Sequence, residues 1–95
     1  MYESISIDNL KKLNNIDIID IRSIQKYNDG HIENAINIPF KILLLSPSKY
    51  LQENVKYYIY CQTGNMSRKL CNILNNYGYN VINILGGYDA WILYE

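Results

Sequence analysis

Cysteine is scarce in this chain. Cys61 and Cys71 are the only two among 95 residues, too few for the disulfide framework of a small secreted domain. They suit a reducing compartment, where a thiol stays available, so a cytoplasmic location is expected. An excess of charge of either sign is also missing. Nine basic residues balance nine acidic ones. Nucleic-acid-binding modules carry a basic surplus, so direct nucleic-acid binding is not expected, and nothing draws the chain to an anionic membrane. Long hydrophobic runs are absent: the longest aliphatic stretch covers residues 42–45, whereas a bilayer span takes about 20 residues. The start, Met1-Tyr2-Glu3-Ser4, lacks the basic and apolar regions of a signal peptide, and none is expected. Proline is rare too. Pro39 and Pro47 stand alone, and there are no linkers, repeats or low-complexity tails.

What remains has the composition of one folded unit. Hydrophobic residues make up 48 % and charged residues 19 % of the chain, which is globular rather than disordered. The length has room for one domain, expected over residues 1–95. Asparagine, isoleucine and tyrosine are over-used, with 13, 16 and 10 copies. A bias of this kind gives any single Asn or Tyr little functional weight unless it sits in a motif.

The pattern along the chain alternates strands with helices. Ile5 and Ile7 alternate with polar residues, a short strand signal. Asp8 reads as the cap of a helix reaching Leu13, which Asn14-Asn15 ends. Residues 16–21 are aliphatic and β-branched, as in a strand buried on both faces of a parallel sheet. Ser23 caps a short helix that Asp29-Gly30 stops. Residues 35–38 form a third strand, closed by Pro39. Residues 40–45 are helical, and Pro47 opens another helix. Residues 55–60 are the fourth strand. A polar loop follows, Cys61-Gln62-Thr63-Gly64-Asn65-Met66, and then a helix over residues 67–77 ended by Gly78. A fifth strand spans 80–85. Gly86-Gly87 turns the chain into a last helix. Such alternation predicts an α/β fold with a mainly parallel sheet. Sites in these sheets lie at the carboxyl ends of the strands, which points to the loop that begins with Cys61.

A thiol becomes a strong nucleophile when ionised. A helix N-terminus offers unpaired N–H groups and about half a positive charge, which favour a thiolate. Loop amides of residues 62 to 67 can cradle an anion, Gly64 supplies a backbone conformation other residues resist, and Thr63 and Ser67 add hydroxyls. The loop could hold a thiolate, a persulfide or a bound oxyanion. By itself it leaves a second reading open, in which Cys61 merely ends a strand in the core.

The rest of the chain bears on that choice. Asp20-Ile21-Arg22, then Gly30-His31-Ile32-Glu33-Asn34-Ala35-Ile36-Asn37-Ile38-Pro39, Cys61-Gln62-Thr63-Gly64-Asn65-Met66-Ser67, and Gly86-Gly87-Tyr88-Asp89-Ala90-Trp91 follow one another. Together these four blocks resemble the single-domain rhodanese family. The resemblance implies a three-layer α/β/α rhodanese fold with a five-stranded, mainly parallel sheet. It implies sulfur transfer through a persulfide on Cys61, from thiosulfate or a persulfide donor to cyanide or a thiol, with no metal and no organic cofactor. A protein persulfide could serve as donor or acceptor. The alternative is a rhodanese fold kept as a non-enzymatic sulfur carrier, sensor or protein-interaction module.

One position departs from the pattern. The family often has arginine where this chain has Met66, and an arginine there would bind an oxyanion through charge-assisted hydrogen bonds. Thiosulfate binding is therefore expected to be weak. Arg68 could substitute, but a one-residue shift turns a helical side chain by about 100°. Cysteine phosphatases of related fold use C-x5-R, which would need arginine at Ser67. Asp20 and Arg22 are expected to pair and organise the surroundings. His31 is expected to make a structural hydrogen bond and Trp91 to anchor the core. Cys71, one turn after Ser67, is either a resolving thiol or a small core residue. Residues 40–52 are expected to cover one side of the site.

Overall fold

A computed structural model describes residues 2–94. Its elements are β1 (Glu3–Ile5), α1 (Ile7–Leu10), β2 (Asp17–Asp20), α2 (Ile24–Asp29), β3 (Ile36–Asn37), α3 (Phe40–Leu45), α4 (Pro47–Tyr50), β4 (Lys56–Tyr60), α5 (Asn65–Asn76), β5 (Asn80–Ile84) and α6 (Gly87–Leu93). Five strands form one sheet in the order β1-β5-β4-β2-β3. Every pairing among the described residues is parallel, so the fold is α/β as expected.

Side-chain alternation sorts the core into two layers. Along β4, Tyr57 and Ile59, with Cys61 just beyond, face one side; Tyr58 and Tyr60 face the other. This is the period-two geometry of a strand. The first side packs against α3, the residue after α4, and α5 through Leu43, Leu51, Leu70, Cys71 and Leu74. The second packs against α1 and α6 through Ile7, Leu10, Ala90 and Trp91. Because both faces are covered, the central strands read as nearly unbroken apolar runs. Each large buried aliphatic side chain contributes roughly 2–3 kcal/mol of transfer free energy.

Several boundaries differ from the sequence reading. The cap of α1 is Ser6, not Asp8: the Ser6 Oγ accepts from the Asn9 N–H at 3.2 Å. Asp8 then occupies the first turn, where its charge suits the helix end. Ile7, read as a strand residue, instead begins this helix and is buried. The helix ends at Leu10 rather than Leu13, and Asn15 follows with φ of 56°. Regular β3 is only two residues long. Its neighbours still bond across the sheet, with Ile38 N donating to Asp20 O at 3.0 Å. Helix α5 begins at Asn65, two residues before the expected start. Ser23 does cap α2, accepting from Lys26 N at 3.3 Å.

Candidate active site

Cys61 directly follows β4, at the carboxyl end of the central strand. The next three residues turn the chain into α5, and Gly64 makes that turn with φ of 99°, a region that side chains with a Cβ avoid. Two backbone donors converge on the sulfur. Gly64 N lies 3.1 Å and Ser67 N 3.3 Å from Cys61 Sγ. Cys61 is 5 % exposed, so the sulfur sits in a small polar recess at the head of a twelve-residue helix. Its dipole adds positive potential there. Such donors are placed to receive negative charge on sulfur or on an atom attached to it.

A third group completes the recess. Ser67 is fully buried, and its Oγ lies 3.4 Å from Cys61 Sγ and 2.5 Å from Asn83 Oδ1. Asn83 is itself buried and reaches Ser4 Oγ at 3.4 Å with its Nδ2. Sequence reasoning missed Asn83, treating it as one of many asparagines. A signal was available: in β5, Asn83 shares a face with Val81, and that face is otherwise core. A polar residue at a core position needs a partner, and the partner is Ser67.

The opposite flank of the loop is held by a charged network. Arg22 Nη2 pairs with Asp20 Oδ2 at 2.7 Å, and Nε lies 3.1 Å from both carboxylate oxygens. Asp20 is fully buried and Arg22 nearly so. The pair is therefore interior rather than solvated. Burial works against the charge on Arg22, yet the hydrogen bond and charge of Asp20 outweigh it and raise its pKa. Tyr60 donates to Asp20 Oδ2 at 2.6 Å, and burial, reinforced by that bond, pushes its phenol above the usual range. From this pair the network reaches the loop. Arg22 Nη1 donates to Gln62 Oε1 at 3.0 Å, and Gln62 Nε2 donates to Asp89 Oδ1 at 2.6 Å. Gln62, expected as a loop amide, thus also ties Arg22 to α6 by its side chain.

Helix α6 clamps the same loop through backbone. Tyr88 N donates to Cys61 O at 2.9 Å and Asp89 N to Gln62 O at 3.0 Å. The approach requires Gly87 (φ 59°): a Cβ there would overlap the Cys61 carbonyl oxygen and stand 2.8 Å from that of Gln62. The Gly86-Gly87 turn is a site element as well as a turn.

The remaining expected residues scatter. Thr63, Asn65 and Met66 lie exposed on the rim, Met66 being 44 % exposed. Thr63 Oγ1 accepts from Asn65 N at 3.4 Å. Arg68 is exposed and lines a shallow groove with Tyr2, Lys69 and Asn72, a groove that Cys61 does not line. His31 is exposed; its Nδ1 donates to Tyr27 O at 2.8 Å and its ring stacks on Tyr27. Trp91 is half-buried at the margin of the core rather than inside it, with Lys11 Nζ 4.5 Å above its ring. Cys71 is fully buried, and burial first, then the nearness of Cys61, pushes its thiol up to about 12. Leu43 of α3 and Leu51, just after α4, pack on the same side of the sheet as Cys61.

A larger cleft of about 650 Å³ lies at the other end of the strands, lined by Lys11, Ile16, Glu33, Asn34 and Trp91 among others. It contains no nucleophilic thiol. Cys61 does not line it. Among the described residues, no cluster of three His, Cys, Asp or Glu side chains is placed to hold a metal ion. No described helix is long and apolar enough to cross a membrane.

A parallel α/β sandwich with a cysteine at the central strand end, its sulfur facing backbone N–H groups of a helix head, defines a class of sites suited to an anionic sulfur or oxyanion. Comparison with known proteins narrows the class. Residues 6–93 match the model of the Rhodanese-like domain, and the chain belongs to that family. It is 35 % identical over 74 residues to thiosulfate sulfurtransferase PspE of Escherichia coli (strain K12), covering 73 % of this chain and 67 % of that protein. Among solved structures, a rhodanese-related protein of Thermoplasma volcanium superposes with a TM-score of 0.87 at 31 % identity, over 97 % of this chain and 92 % of that one. A rhodanese-like domain protein of Staphylococcus aureus gives 0.85 at 31 %, over 94 % and 90 %. The human single-domain sulfurtransferase TSTD1 shares the fold, with a TM-score of 0.86 at 21 % identity over 100 % and 99 %. Other curated relatives are longer: the chain spans only about a fifth to a half of three of them.

Proposed function

We propose that this chain is a sulfurtransferase that carries a sulfane sulfur as a persulfide on Cys61. The observation that carries the reading is the pair of backbone N–H groups, from Gly64 and Ser67, aimed at Cys61 Sγ. In the first half-reaction the Cys61 thiolate attacks the outer sulfur of thiosulfate. A sulfur–sulfur bond forms to Cys61, the bond to the sulfonate sulfur breaks, and sulfite leaves with the electron pair. In the second, cyanide or a thiolate attacks the terminal sulfur, leaving as thiocyanate or a new persulfide and restoring the Cys61 thiolate. This is covalent catalysis by an activated nucleophile. With a persulfide donor, the leaving group is a thiolate instead. No step calls for a metal or an organic cofactor.

Met66 bears on the donor. Arg68 does not replace the arginine frequent in the family, since it lines a different groove. The missing charge-assisted hydrogen bonds weaken thiosulfate binding by about 1–3 kcal/mol. A persulfide without that dianionic head loses less, so persulfides are the preferred donors in this reading. The same feature favours a second reading, a sulfur-carrying or interaction module with slow turnover.

Intact mass tests the proposal. After incubation with thiosulfate, and separately with a low-molecular-weight persulfide, the protein gains one sulfur, about 32 Da, reversed by cyanide and absent in Cys61→Ser. Failure of both donors to load a free Cys61 thiol rejects the enzyme reading. Loading without thiocyanate production favours the carrier.

A further inference from the structure

Ser67 Oγ has one proton and three neighbours that could use it. Asn83 Oδ1 lies at 2.5 Å, Gly64 O at 3.3 Å and Cys61 Sγ at 3.4 Å. The shortest contact takes the proton. The hydroxyl then offers a lone pair to sulfur, and the Cys61 S–H donates to it. The chain runs from Cys61 S–H to Ser67 to Asn83, and Asn83 Nδ2 continues it to Ser4 Oγ. Once sulfur becomes negative, that lone pair faces it unfavourably. An amide side chain offers an acceptor at one end and two donors at the other. A half-turn of the Asn83 amide presents Nδ2 to Ser67 Oγ, frees the Ser67 proton for sulfur, and lets Asn83 Oδ1 accept from Ser4.

We propose that Asn83 is a positioning residue that sets the direction of the Ser4–Asn83–Ser67–Cys61 hydrogen-bond chain and reverses it when Cys61 takes negative charge. The Cys61 proton leaves to a base in solution, and the chain itself only reorients, so no proton is stored on Asn83. The inference deepens the sulfur-transfer reading by naming what receives charge on the sulfur, but its test does not depend on that reading. Ser67 and Asn83 are both buried. The ionisable groups on the elements packed around Cys61 are Cys71, Arg68 and Lys69 on α5, Tyr88 and Asp89 on α6, Asp17 and Asp20 on β2 with Arg22 just after it, Lys56, Tyr57, Tyr58 and Tyr60 on β4, and Lys41 on α3. The variants below leave all of them in place.

The experiment is the pH profile of Cys61 alkylation by iodoacetamide, read by peptide mass so that Cys71 is scored separately. Asn83→Asp keeps an acceptor for the Ser67 proton and removes the donor, which locks the chain in its thiol direction. The expected result is alkylation about tenfold slower at pH 7, with the profile displaced to higher pH by about one unit. Repeated in Ser67→Ala, the same substitution displaces the profile by less than half as much. An unmoved profile in Asn83→Asp overturns the proposal. So does an equal displacement in both backgrounds, which would mean that the new carboxylate acts through space alone. Should Asn83→Asp fail to fold, Ser67→Ala decides: alkylation several-fold slower at pH 7 supports the chain, and an unchanged rate overturns it. If the profiles move as expected but no sulfur loads, the chain stands and the sulfurtransferase reading falls.

Discussion

Two buried cysteines sit ten residues apart and have opposite surroundings. Cys61 ends a strand and faces two N–H donors, a hydroxyl and the head of a helix. Cys71 lies inside that same helix, fully buried in the core layer that holds Leu70 and Leu74. Burial alone therefore says nothing about reactivity. Position on the helix does: at the head, backbone donors are unspent, whereas ten residues on every N–H is committed to the helix ladder. The contrast disfavours Cys71 as a resolving thiol, since burial keeps it protonated.

Exchanging the two thiols for inert groups gives the largest expected effect. Cys61→Ser abolishes the mass gain from either donor. Cys71→Ala keeps it, with stability lowered by about 1–2 kcal/mol for the cavity, measured by urea unfolding. Loss of loading in a folded Cys71→Ala would erase the distinction between the two sites.

The charged flank comes next. Asp20→Ala leaves Arg22 buried without its carboxylate and removes the acceptor of the Tyr60 hydroxyl. Breaking a buried pair from one side costs about 3–5 kcal/mol. For a domain of this size the melting temperature should fall by about 12 °C or more. A fall of only a few degrees would mean that water reaches Arg22 and the network contributes little.

Met66→Arg acts on the rim of the Cys61 recess and leaves Cys71 untouched. Restoring a cationic fork there should lower the KM for thiosulfate by a factor of about 5 to 150, the equivalent of 1–3 kcal/mol. The KM for a neutral persulfide should change little. Equal gains for both donors would show that the effect is not recognition of an oxyanion.

The sequence was informative where chemistry follows the chain closely. A strand, a cysteine, a glycine and a helix in succession place the candidate nucleophile, and Asp20 and Arg22 stand two residues apart at a strand end. It was much less informative where partners come from distant strands. Asn83 meets Ser67 across 16 positions, and Gln62 links Arg22, 40 positions away, to Asp89, 27 away. Those contacts depend on sheet order, which alternation of elements does not specify. The heavy use of asparagine further masked Asn83. Gly87 read as a turn residue because its need for space appears only when α6 is packed on Cys61 O. The Ser6 cap went unseen because Asp8 is an equally good capping residue.

The last test concerns alkaline pH and isolates Cys71 from Cys61. The Cys71 thiol ionises near 9 in an unfolded chain and is pushed up to about 12 by burial in the fold. Its neutral form is the one the fold accepts. The associated stability is complete below pH 9 and is lost as pH rises toward 12, because the unfolded chain gives up this proton first. Tyr60 acts in the same sense from about pH 10, its phenol also being raised by burial and by its bond to Asp20. Unfolding free energy should therefore be nearly level from pH 7 to 9 and then decline, by at most about 1.4 kcal/mol per pH unit for each group. Cys71→Ala should remove the part that begins at pH 9 and keep the part that begins at pH 10. Urea titrations at half-unit steps from pH 7 to 11 resolve the two onsets. An unchanged curve in Cys71→Ala would mean that Cys71 ionises as readily in the folded protein as in the unfolded chain, and the contrast between the two thiols would then be one of access alone.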